Sequence, residues 1–392
     1  MQFCGIICEF NPFHNGHKYL IDQAKKQTGE TIVCLMSGDF VQRGDPAILE
    51  KYSRAKTAIQ NGADIVLELP TIFACSNAEN FAYGAVKILD ALKASHIAFG
   101  IENTSLDLLK QIAEIKYNNS ISFQNSFKNE IENGINFNTA LKRAIAKELG
   151  DEKILDILSR PNNILAIEYL TAIKKLGSKI EPVAISRVDN GYNSITEKEC
   201  FLSASGIREK LFKNEDVSKF TPNNISQDEI FNQVHQNRFE TLALHSLRSL
   251  SEKELAKTYD YNEGIEFRIK NFANQNSSLN ELTNLVSTPR YRESRVKKLL
   301  IYPLLGVTKS KAELAKKIKP FAKVLAISKS QKEILSFVKK LKINLIVTNR
   351  DYENLTLNQK KIIDIDLNSS NIYNLSTGKQ NNNDKKMGTL FI

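Results

Sequence analysis

Two histidines lie three residues apart near the start of the chain, in the stretch EFNPFHNGHKYLI that spans residues 9–21. His14 and His17 flank Asn15 and Gly16, and they are two of only five histidines among 392 residues. They follow an apolar run, at a point where a loop would lead into a helix. Imidazoles at such a point can donate hydrogen bonds to phosphate oxygens, so a nucleotide phosphate site is the favoured interpretation.

A zinc site and an ordinary pair of surface histidines are the two alternatives. His-x-x-His spacing can hold zinc, but no third ligand lies nearby, and His96, His235 and His245 are isolated in the sequence. The sequence therefore predicts no metal site formed by the chain itself. Both alternatives stay open, with the phosphate site preferred.

The elements that would position these histidines alternate along the first hundred residues. Short runs rich in Ile, Val and Phe predict strands at 3–10, 31–38, 63–70 and 95–100, with helices between them at 16–27, 50–61 and 78–93. Such alternation predicts an α/β fold with a doubly wound parallel sheet. Pro12 would end the first strand, Gly16 allows a ligand to approach closely, and the first helix directs free N–H groups at it.

The rest of the chain predicts a helical insertion and a second, smaller α/β pattern. Its predicted elements are mostly helix at 104–175, a strand at 180–187, a helix at 203–212 with Ser203 or Ser205 as N-cap, helices over 226–300, strands at 323–328 and 343–349 around a helix at 330–341, and a loose tail at 376–388. We therefore expect a catalytic ATP-binding domain over 1–215, a helical basic region over 216–305 and a small α/β domain over 306–392.

Several motifs resemble those of a known family. The His-x-Gly-His stretch resembles the signature of the nucleotidyltransferase superfamily, and LSASGIREKL (202–211) fits that superfamily's second element, Ile-Ser-Ser/Thr-x-Ile-Arg. Together with MSGDFVQRGDPA (36–47), RPNNILAIEY (160–169) and ISRVDNGYN (185–193), these motifs are similar to the bacterial tRNA(Met) cytidine acetate ligases. The resemblance implies a nucleotidyltransferase-like Rossmann fold.

This resemblance also implies a reaction and a set of site residues. Family members use ATP and acetate to form acetyl-adenylate, then acetylate N4 of the wobble cytidine of elongator tRNA(Met); Mg²⁺ would accompany the ATP. His14 and His17 would be catalytic. The residues implied to contact ATP are Ile7, Cys8, Glu9, Phe10, Asn11, Pro12, Phe13, His14, Asn15, Gly16, His17, Lys18, Tyr19, Leu20, Gly100, Asn162, Arg187, Ser205 and Arg208. Asn163 is an alternative to Asn162.

A short segment after the second predicted strand is a further candidate. Asp39, Gln42 and Arg43 would lie at the same edge of the sheet as the histidines. They could place acetate or the cytidine, and an ordinary surface turn is an equally good interpretation.

Charge is distributed unevenly along the chain. Residues 281–392 carry 22 Lys and Arg against 9 Asp and Glu, which accounts for the whole of the formal net charge of +10. A basic segment on a near-neutral body favours a polyanion such as tRNA over a merely solvated surface. We expect the RNA contacts to come from a basic helix near residue 295, with Arg290, Arg292, Arg295, Lys297 and Lys298 as candidates.

Composition limits the remaining possibilities. No apolar run is long enough for a membrane helix, and the start of the chain lacks the features of a signal peptide. Four of the five scattered cysteines lie in or beside apolar runs, which favours reduced core residues. We therefore expect a cytoplasmic protein with no membrane contact and no obligate protein partner. Two other functions stay open: a small-molecule adenylyltransferase or acid ligase of the pantothenate synthetase type, and a non-catalytic RNA-binding protein that binds ATP.

Overall fold

The strands of the computed structural model, which describes residues 2–187, 200–331, 333–334, 336, 341, 343–379 and 384–392, form one sheet. Within those residues the strand order is β5–β4–β1–β2–β3–β6–β7, and β8 pairs with β6. The strands are β1 (Phe3–Cys8), β2 (Thr31–Ser37), β3 (Ile65–Leu69), β4 (His96–Ile101), β5 (Glu181–Ser186), β6 (Phe321–Ile327), β7 (Asn344–Ile346) and β8 (Leu390–Phe391).

Helices connect and cover these strands. The helices are α1 (Asn15–Thr28), α2 (Lys51–Gln60), α3 (Thr71–Ala74), α4 (Ala78–Ala91), α5 (Leu106–Asn118), α6 (Ile121–Glu132), α7 (Phe137–Leu149), α8 (Ile154–Ile157), α9 (Pro161–Leu176), α10 (Ala204–Phe212), α11 (Gln233–Ser249), α12 (Glu252–Leu255), α13 (Ile265–Gln275), α14 (Leu279–Val286), α15 (Glu293–Leu305), α16 (Lys309–Lys317) and α17 (Leu357–Thr377). The helical insertion predicted between the fourth and fifth strands is therefore present.

Both faces of the central sheet are buried. In β2, Val33 and Leu35 pack into a core that includes α4 and α9, whereas Ile32 and Cys34 pack into a second core with α1 and α2. The strands from β5 to β3 are all parallel, as expected for apolar runs buried on both faces. The predicted doubly wound α/β fold is confirmed.

The sheet continues past residue 306. Strand β6 pairs antiparallel with β3, which places Glu68 opposite Lys323. The predicted division into three domains stays a prediction, and the sheet joins the first and third of them. No described helix has the length and apolarity needed to cross a membrane.

A buried charge cluster joins the same two parts of the chain. Lys51 of α2 is 1% exposed, and its Nζ lies 2.8 Å from Glu68 Oε1, 2.9 Å from Asp384 Oδ2 and 3.7 Å from Asp39 Oδ2. Lys323 completes the cluster, with its Nζ 2.8 Å from Asp384 Oδ1. Each of the two buried ammonium groups therefore meets at least one carboxylate, and the cluster holds three carboxylates against two lysines.

The prediction of a loose tail over 376–388 is wrong in part. Helix α17 includes residues 376 and 377, and Asp384 is buried in the charge cluster. Polar composition suggested solvation there, but the carboxylate of Asp384 neutralises buried lysines. Residues 380–383, half of the predicted helix at 330–341, and the last part of ISRVDNGYN lie outside the described residues.

Candidate active site

A cleft of about 1160 Å³ opens at the carboxyl ends of the parallel strands. In this sheet β2 lies on one side of β1, and β4 and β5, which come later in the chain, lie on the other side. The cleft lies at this change of direction, which is the usual ligand position in doubly wound sheets. Most of the residues implied to contact ATP line this cleft: Ile7, Cys8, Glu9, Phe10, Asn11, His14, Gly16, His17, Tyr19, Leu20, Gly100, Asn162, Arg187, Ser205 and Arg208.

Four residues of the implied set do not line the cleft. Pro12 and Phe13 are buried beneath it, and Lys18 pairs with Asp22 on the outer face of α1. The Asn15 side chain donates to the carbonyl oxygens of Cys200 and Lys219, both at 2.9 Å. Asn15 thus ties the start of α1 to the segments that flank α10.

His14 is the N-cap of α1. Its Nδ1 accepts from the backbone N–H of Gly16 at 3.0 Å, and the Nδ1 of His17 in turn accepts from the backbone N–H of His14 at 3.2 Å. The two rings stack with centroids 3.7 Å apart. Since both Nδ1 atoms accept, each neutral ring carries its hydrogen on Nε2 and has one donor to offer a ligand.

Burial keeps both rings neutral. It lowers the pKa of His14 to about 4, with a further contribution from the positive charge of Arg187. Burial also holds the pKa of His17 well below its usual value, and His14 and Arg187 act in the same direction. Phe10 and Phe13 pack against the His17 ring, with centroids 4.9 and 5.7 Å away. The histidines are therefore hydrogen-bond donors, and the charge that meets an anion must come from elsewhere.

Arg187 supplies such a charge from the end of β5. Its Nη1 lies 3.8 Å from Oε1 of Glu102, which follows β4, and its side chain is 38% exposed. Oε1 of Glu102 also accepts from the Asn162 side chain at 2.8 Å. The other Glu102 oxygen, Oε2, is buried and has no hydrogen-bond partner among the described residues.

The structure distinguishes the two candidate asparagines. Asn162 lines the cleft, whereas Asn163 is fully buried, and its amide exchanges hydrogen bonds with the backbone N–H and carbonyl of Glu102 at 2.9 and 2.8 Å. Asn163 therefore joins α9 to the end of β4. Asn162 is the member of the pair available to a ligand.

Arg208 reaches the loop after β1 from α10. The Ser203 Oγ accepts from the Gly206 N–H at 3.2 Å and so caps α10, one of the two caps proposed from the sequence. One turn later, Arg208 Nη1 donates to the Asn11 carbonyl at 2.6 Å. Burial lowers the pKa of Arg208, while Glu9 and Asp45 act to raise it. Arg208 thus fixes the loop after β1 and adds positive charge to the wall.

A third arginine, which sequence reasoning missed, organises the floor of the cleft. Arg54 of α2 is fully buried, and it donates to the carbonyl oxygens of Glu9 at 2.6 Å, Ser37 at 3.2 Å and Leu49 at 2.9 Å. These carbonyls end β1 and β2 or precede α2. A charged residue in KYSRAK is typical of a solvated helix face, so no signal in the sequence indicated this role.

The loop after β2 separates into buried and cleft-facing residues. Asp39 is 3% exposed and accepts from the Ser370 hydroxyl at 2.7 Å, so its carboxylate belongs to the buried charge cluster. Gln42 and Arg43 line the cleft, as does Asp45, which sequence reasoning did not single out. The Gln42 N–H donates to Glu9 Oε1 at 2.7 Å, and burial raises the pKa of Glu9.

The five basic candidates for RNA contact differ in their surroundings. Arg290 and Arg292 are exposed, and Arg290 pairs with Glu263. Arg295 is held by Asp260 through two bonds of 2.7 and 2.8 Å. Lys297 pairs with Glu293 at 2.9 Å, and Lys298 donates to the Ser76 carbonyl at 3.2 Å.

Comparison with known proteins identifies the family. The family described as HIGH Nucleotidyl Transferase matches residues 1–387. A tRNA(Met) cytidine acetate ligase of Thermoanaerobacter sp. (strain X514) is 40% identical over 319 residues, which is 79% of each chain. The chain belongs to this ligase family. The one from Acetivibrio thermocellus is 34% identical and spans 84% of this chain and 83% of its own.

Solved structures agree with this membership. Two crystal structures of Thermotoga maritima TmcAL, one apo and one bound with alpha-thio ATP, superpose on the whole chain with TM-scores of 0.89 at 26% and 27% identity. The predicted family resemblance, and with it the prediction of a nucleotidyltransferase-like fold and a ligase activity, is confirmed.

Proposed function

We propose that the chain uses ATP to activate acetate as acetyl-adenylate and transfers the acetyl group to N4 of the wobble cytidine of elongator tRNA(Met). The observation that carries this proposal is the meeting of His14, His17, Arg187 and Arg208 around one cleft, in a chain whose relatives are cytidine acetate ligases. Those residues come from three parts of the fold, the start of α1, the end of β5 and α10, and together they provide hydrogen-bond donors and positive charge for a triphosphate.

In the first step, an acetate oxygen attacks the α-phosphorus of ATP and pyrophosphate leaves. His14 and His17 donate their Nε2 hydrogens to the oxygens of the reacting phosphate. The first N–H groups of α1 donate to the Phe220 carbonyl, to the His14 ring and to the His14 carbonyl, so α1 contributes the positive end of its dipole rather than free donors. Arg187 carries the positive charge that the neutral imidazoles lack, and Arg208 adds to it from α10.

Asn162 and Gly100 shape the nucleotide side of the cleft. A Cβ at Gly100 would lie 3.3 Å from Cγ of Arg187, so a larger residue would displace the arginine from its present position. The Asn162 amide holds Glu102, whose second oxygen accepts from no described group and can accept from a bound ligand. These contacts fit a nucleotide bound along the ends of β4 and β5.

Magnesium enters this reaction with the nucleotide. Among the described residues no three His, Cys, Asp or Glu side chains are grouped as metal ligands. Mg²⁺ commonly keeps several waters and binds through substrate phosphates, so a Mg²⁺–ATP complex needs no such group. Acetate, ATP and tRNA are all available in the cytoplasm, which is where we place the reaction, without an obligate protein partner.

The tRNA would be bound by the basic C-terminal third. Arg290 and Arg292 are the most accessible of the five candidates, and α15 begins directly after them. Lys297 lies close enough to Asp45 of the cleft wall to act to lower the pKa of that carboxyl, although partial desolvation within the cleft raises the pKa overall. The basic helix therefore leads RNA towards the cleft rather than away from it.

The experiment that tests the proposal is incubation of the protein with ATP, labelled acetate and total tRNA, followed by nucleoside analysis. We expect labelled N4-acetylcytidine in tRNA(Met), with AMP and pyrophosphate released in equal amounts. Acetate-dependent pyrophosphate release without any RNA product would instead indicate a small-molecule acid ligase. No acetate-dependent release at all would contradict the proposal.

A further inference from the structure

Two charged side chains on the cleft wall have no partner among the described residues. The Asp45 carboxylate and the Arg43 guanidinium both line the cleft and are solvent accessible, yet neither forms a hydrogen bond or ion pair with a described group. The other charged groups that line the cleft, such as Glu9, Arg187 and Arg208, are already engaged by protein atoms. Arg43 and Asp45 are therefore available to a ligand.

The surroundings of Asp45 place it between the nucleotide site and the basic helix. Lys297, Arg208 and Arg43 face it as cations, and Glu293 faces it as an anion. Gly44, with φ of 94°, lets this loop approach α15 closely, because a Cβ there would lie 3.1 Å from Cγ of Lys298. An RNA strand bound along α15 would reach the cleft at this wall.

An exposed aromatic ring completes the same wall. Phe212 ends α10, lines the cleft and is 58% exposed. It follows Arg208 by four residues, so the two side chains lie on one side of the helix. A solvent-exposed aromatic ring inside a cleft is a stacking surface for an unpaired base.

We propose that Arg43, Asp45 and Phe212 form the subsite for the acceptor cytosine. This inference rests on the proposed function. A carboxylate accepts from the N4 amine of cytosine, a guanidinium donates to its N3 and O2, and an aromatic ring stacks on its face. Uracil presents an oxygen where cytosine has N4, so the Asp45 carboxylate would repel it.

Asp45 is then placed to take the proton in the transfer step. N4 attacks the carbonyl carbon of acetyl-adenylate, and the new C–N bond forms as the N4 proton passes to the Asp45 carboxylate. The bond between the carbonyl carbon and the phosphate oxygen breaks, and AMP leaves with that electron pair. Asp45 returns its proton to solvent after release of the product.

Two assays separate this subsite from the site of acetate activation. Acetate-dependent exchange between ATP and pyrophosphate needs no RNA, whereas acetylcytidine formation needs both steps. Asp45→Asn keeps an accepting oxygen but cannot take a proton, so we expect exchange as in the wild type, an unchanged KM for tRNA, and kcat for transfer lower by about 100-fold. Arg43→Gln should instead raise the KM for tRNA.

Matched variants elsewhere on the surface serve as controls. Phe212→Ala should slow transfer and leave exchange intact, whereas Phe267→Ala, at a phenylalanine that is 57% exposed on α13, should change neither. Asp107→Asn, at an exposed aspartate of α5, is the control for Asp45→Asn. Equal losses of exchange and transfer in the Asp45 and Phe212 variants, or full transfer in both, would overturn the subsite. Absence of exchange in the wild-type protein would overturn the proposed function itself.

Discussion

At the scale of single residues, the stacked histidines show how a polar pair can be held neutral and still keep a hydrogen-bond donor for a ligand. Each Nδ1 is committed to a backbone N–H, which fixes the tautomer and leaves Nε2–H as the donor. The sequence alone indicated the pair and predicted a phosphate as its ligand. It did not indicate that neither ring carries charge at neutral pH, because burial by Phe10, Phe13 and the loop after β1 depends on the folded chain.

Two substitutions at His17 test whether Nδ1 serves as the acceptor for the backbone and Nε2–H as the donor to the ligand. In His17→Asn, Oδ1 can replace Nδ1 as the acceptor, but the donor is lost, so acetate-dependent exchange should fall by about 100- to 1,000-fold. In His17→Gln, the amide N–H can occupy the position of Nε2–H, and the loss should be smaller. His245→Asn, at an exposed histidine of α11, is the control. Equal activity in both His17 variants would contradict a donor role.

The lowered pKa of His14 predicts a pH dependence of stability. The unfolded histidine has a pKa of about 6.5 and the folded one about 4, so the unfolded chain binds more protons between these values. Folding stability should therefore decrease as pH falls from about 6.5 to 4, by about 3 kcal/mol from this residue. The free energy of unfolding, measured by denaturant titration at several pH values in this range, should fall less steeply with decreasing pH in His14→Gln than in the wild-type protein. Parallel curves would show that His14 is not desolvated.

At the scale of elements, the start of α1 depends on a glycine that lies close to the His14 ring. A Cβ at Gly16 would lie 2.9 Å from Cε1 and 3.1 Å from Nδ1 of His14. The first turn of the helix can therefore form with the imidazole folded back over it only when residue 16 has no side chain. Spacing in the sequence suggested close approach by a ligand, and the structure shows close approach by the N-cap itself.

Gly16→Ala should displace the His14 ring and weaken the cap. We expect a loss of acetate-dependent exchange of about 10-fold or more, with a fall in stability of about 1 kcal/mol from the lost cap. Exchange rates and thermal unfolding check the two effects. Gly388→Ala is the control, since a Cβ added at Gly388 would have no atom within 4 Å. Wild-type exchange in Gly16→Ala would show that the ring position is not required.

The basic helix α15 and the residues before it differ in what they can give to RNA. Arg290 and Arg292 are exposed, so the Arg290→Ala, Arg292→Ala double variant should weaken tRNA binding and reduce the slope of log K against log salt by about 2. Filter binding over a range of salt concentrations measures both. Lys110→Ala, at an exposed lysine of α5, should leave the slope unchanged. An unaltered slope in the double variant would remove these arginines from the interface.

The limit of sequence reasoning at this scale is clear in Arg295 and Lys298. Their spacing predicts one basic face with Arg292, yet Asp260 and the Ser76 carbonyl engage them within the fold. Periodicity locates a helix and its apolar face, as it did for Val296 and Leu299. It cannot reveal which charged groups meet partners from segments that are distant in sequence.

At the scale of the whole molecule, the buried charge cluster joins α2, β3 and β6 to the segment around Asp384. Asp39 belongs to this cluster, and it begins the loop that carries Gln42, Arg43 and Asp45 to the cleft. Alternating apolar runs were sufficient to predict the parallel sheet. The antiparallel pairing of β6 with β3 was not predictable in the same way. It places Glu68 opposite Lys323, and charged residues in a sequence do not indicate a buried position in a sheet.

Asp384→Asn should destabilise the whole protein. Attraction by Lys51 and Lys323 holds the pKa of Asp384 well below its usual range despite burial. The substitution therefore leaves the buried Lys323 ammonium without a carboxylate at ion-pair distance among the described residues. We expect a loss of about 3–5 kcal/mol in the free energy of unfolding, measured by denaturant titration. Glu209→Gln breaks an exposed pair with Lys213 and should have little effect. A small change in both variants would contradict the cluster's role.

The position of Asp384 and β8 in the chain has a consequence for biosynthesis. During translation, Lys51 and Lys323 emerge long before the carboxylate that compensates them and before the strand that pairs with the end of β6. The nascent chain must therefore keep this part of the core hydrated until residues 384–391 have left the ribosome. A chain that ended shortly before residue 384 would lack both this carboxylate and the strand that pairs with the end of β6, so its core would stay hydrated and open at this place.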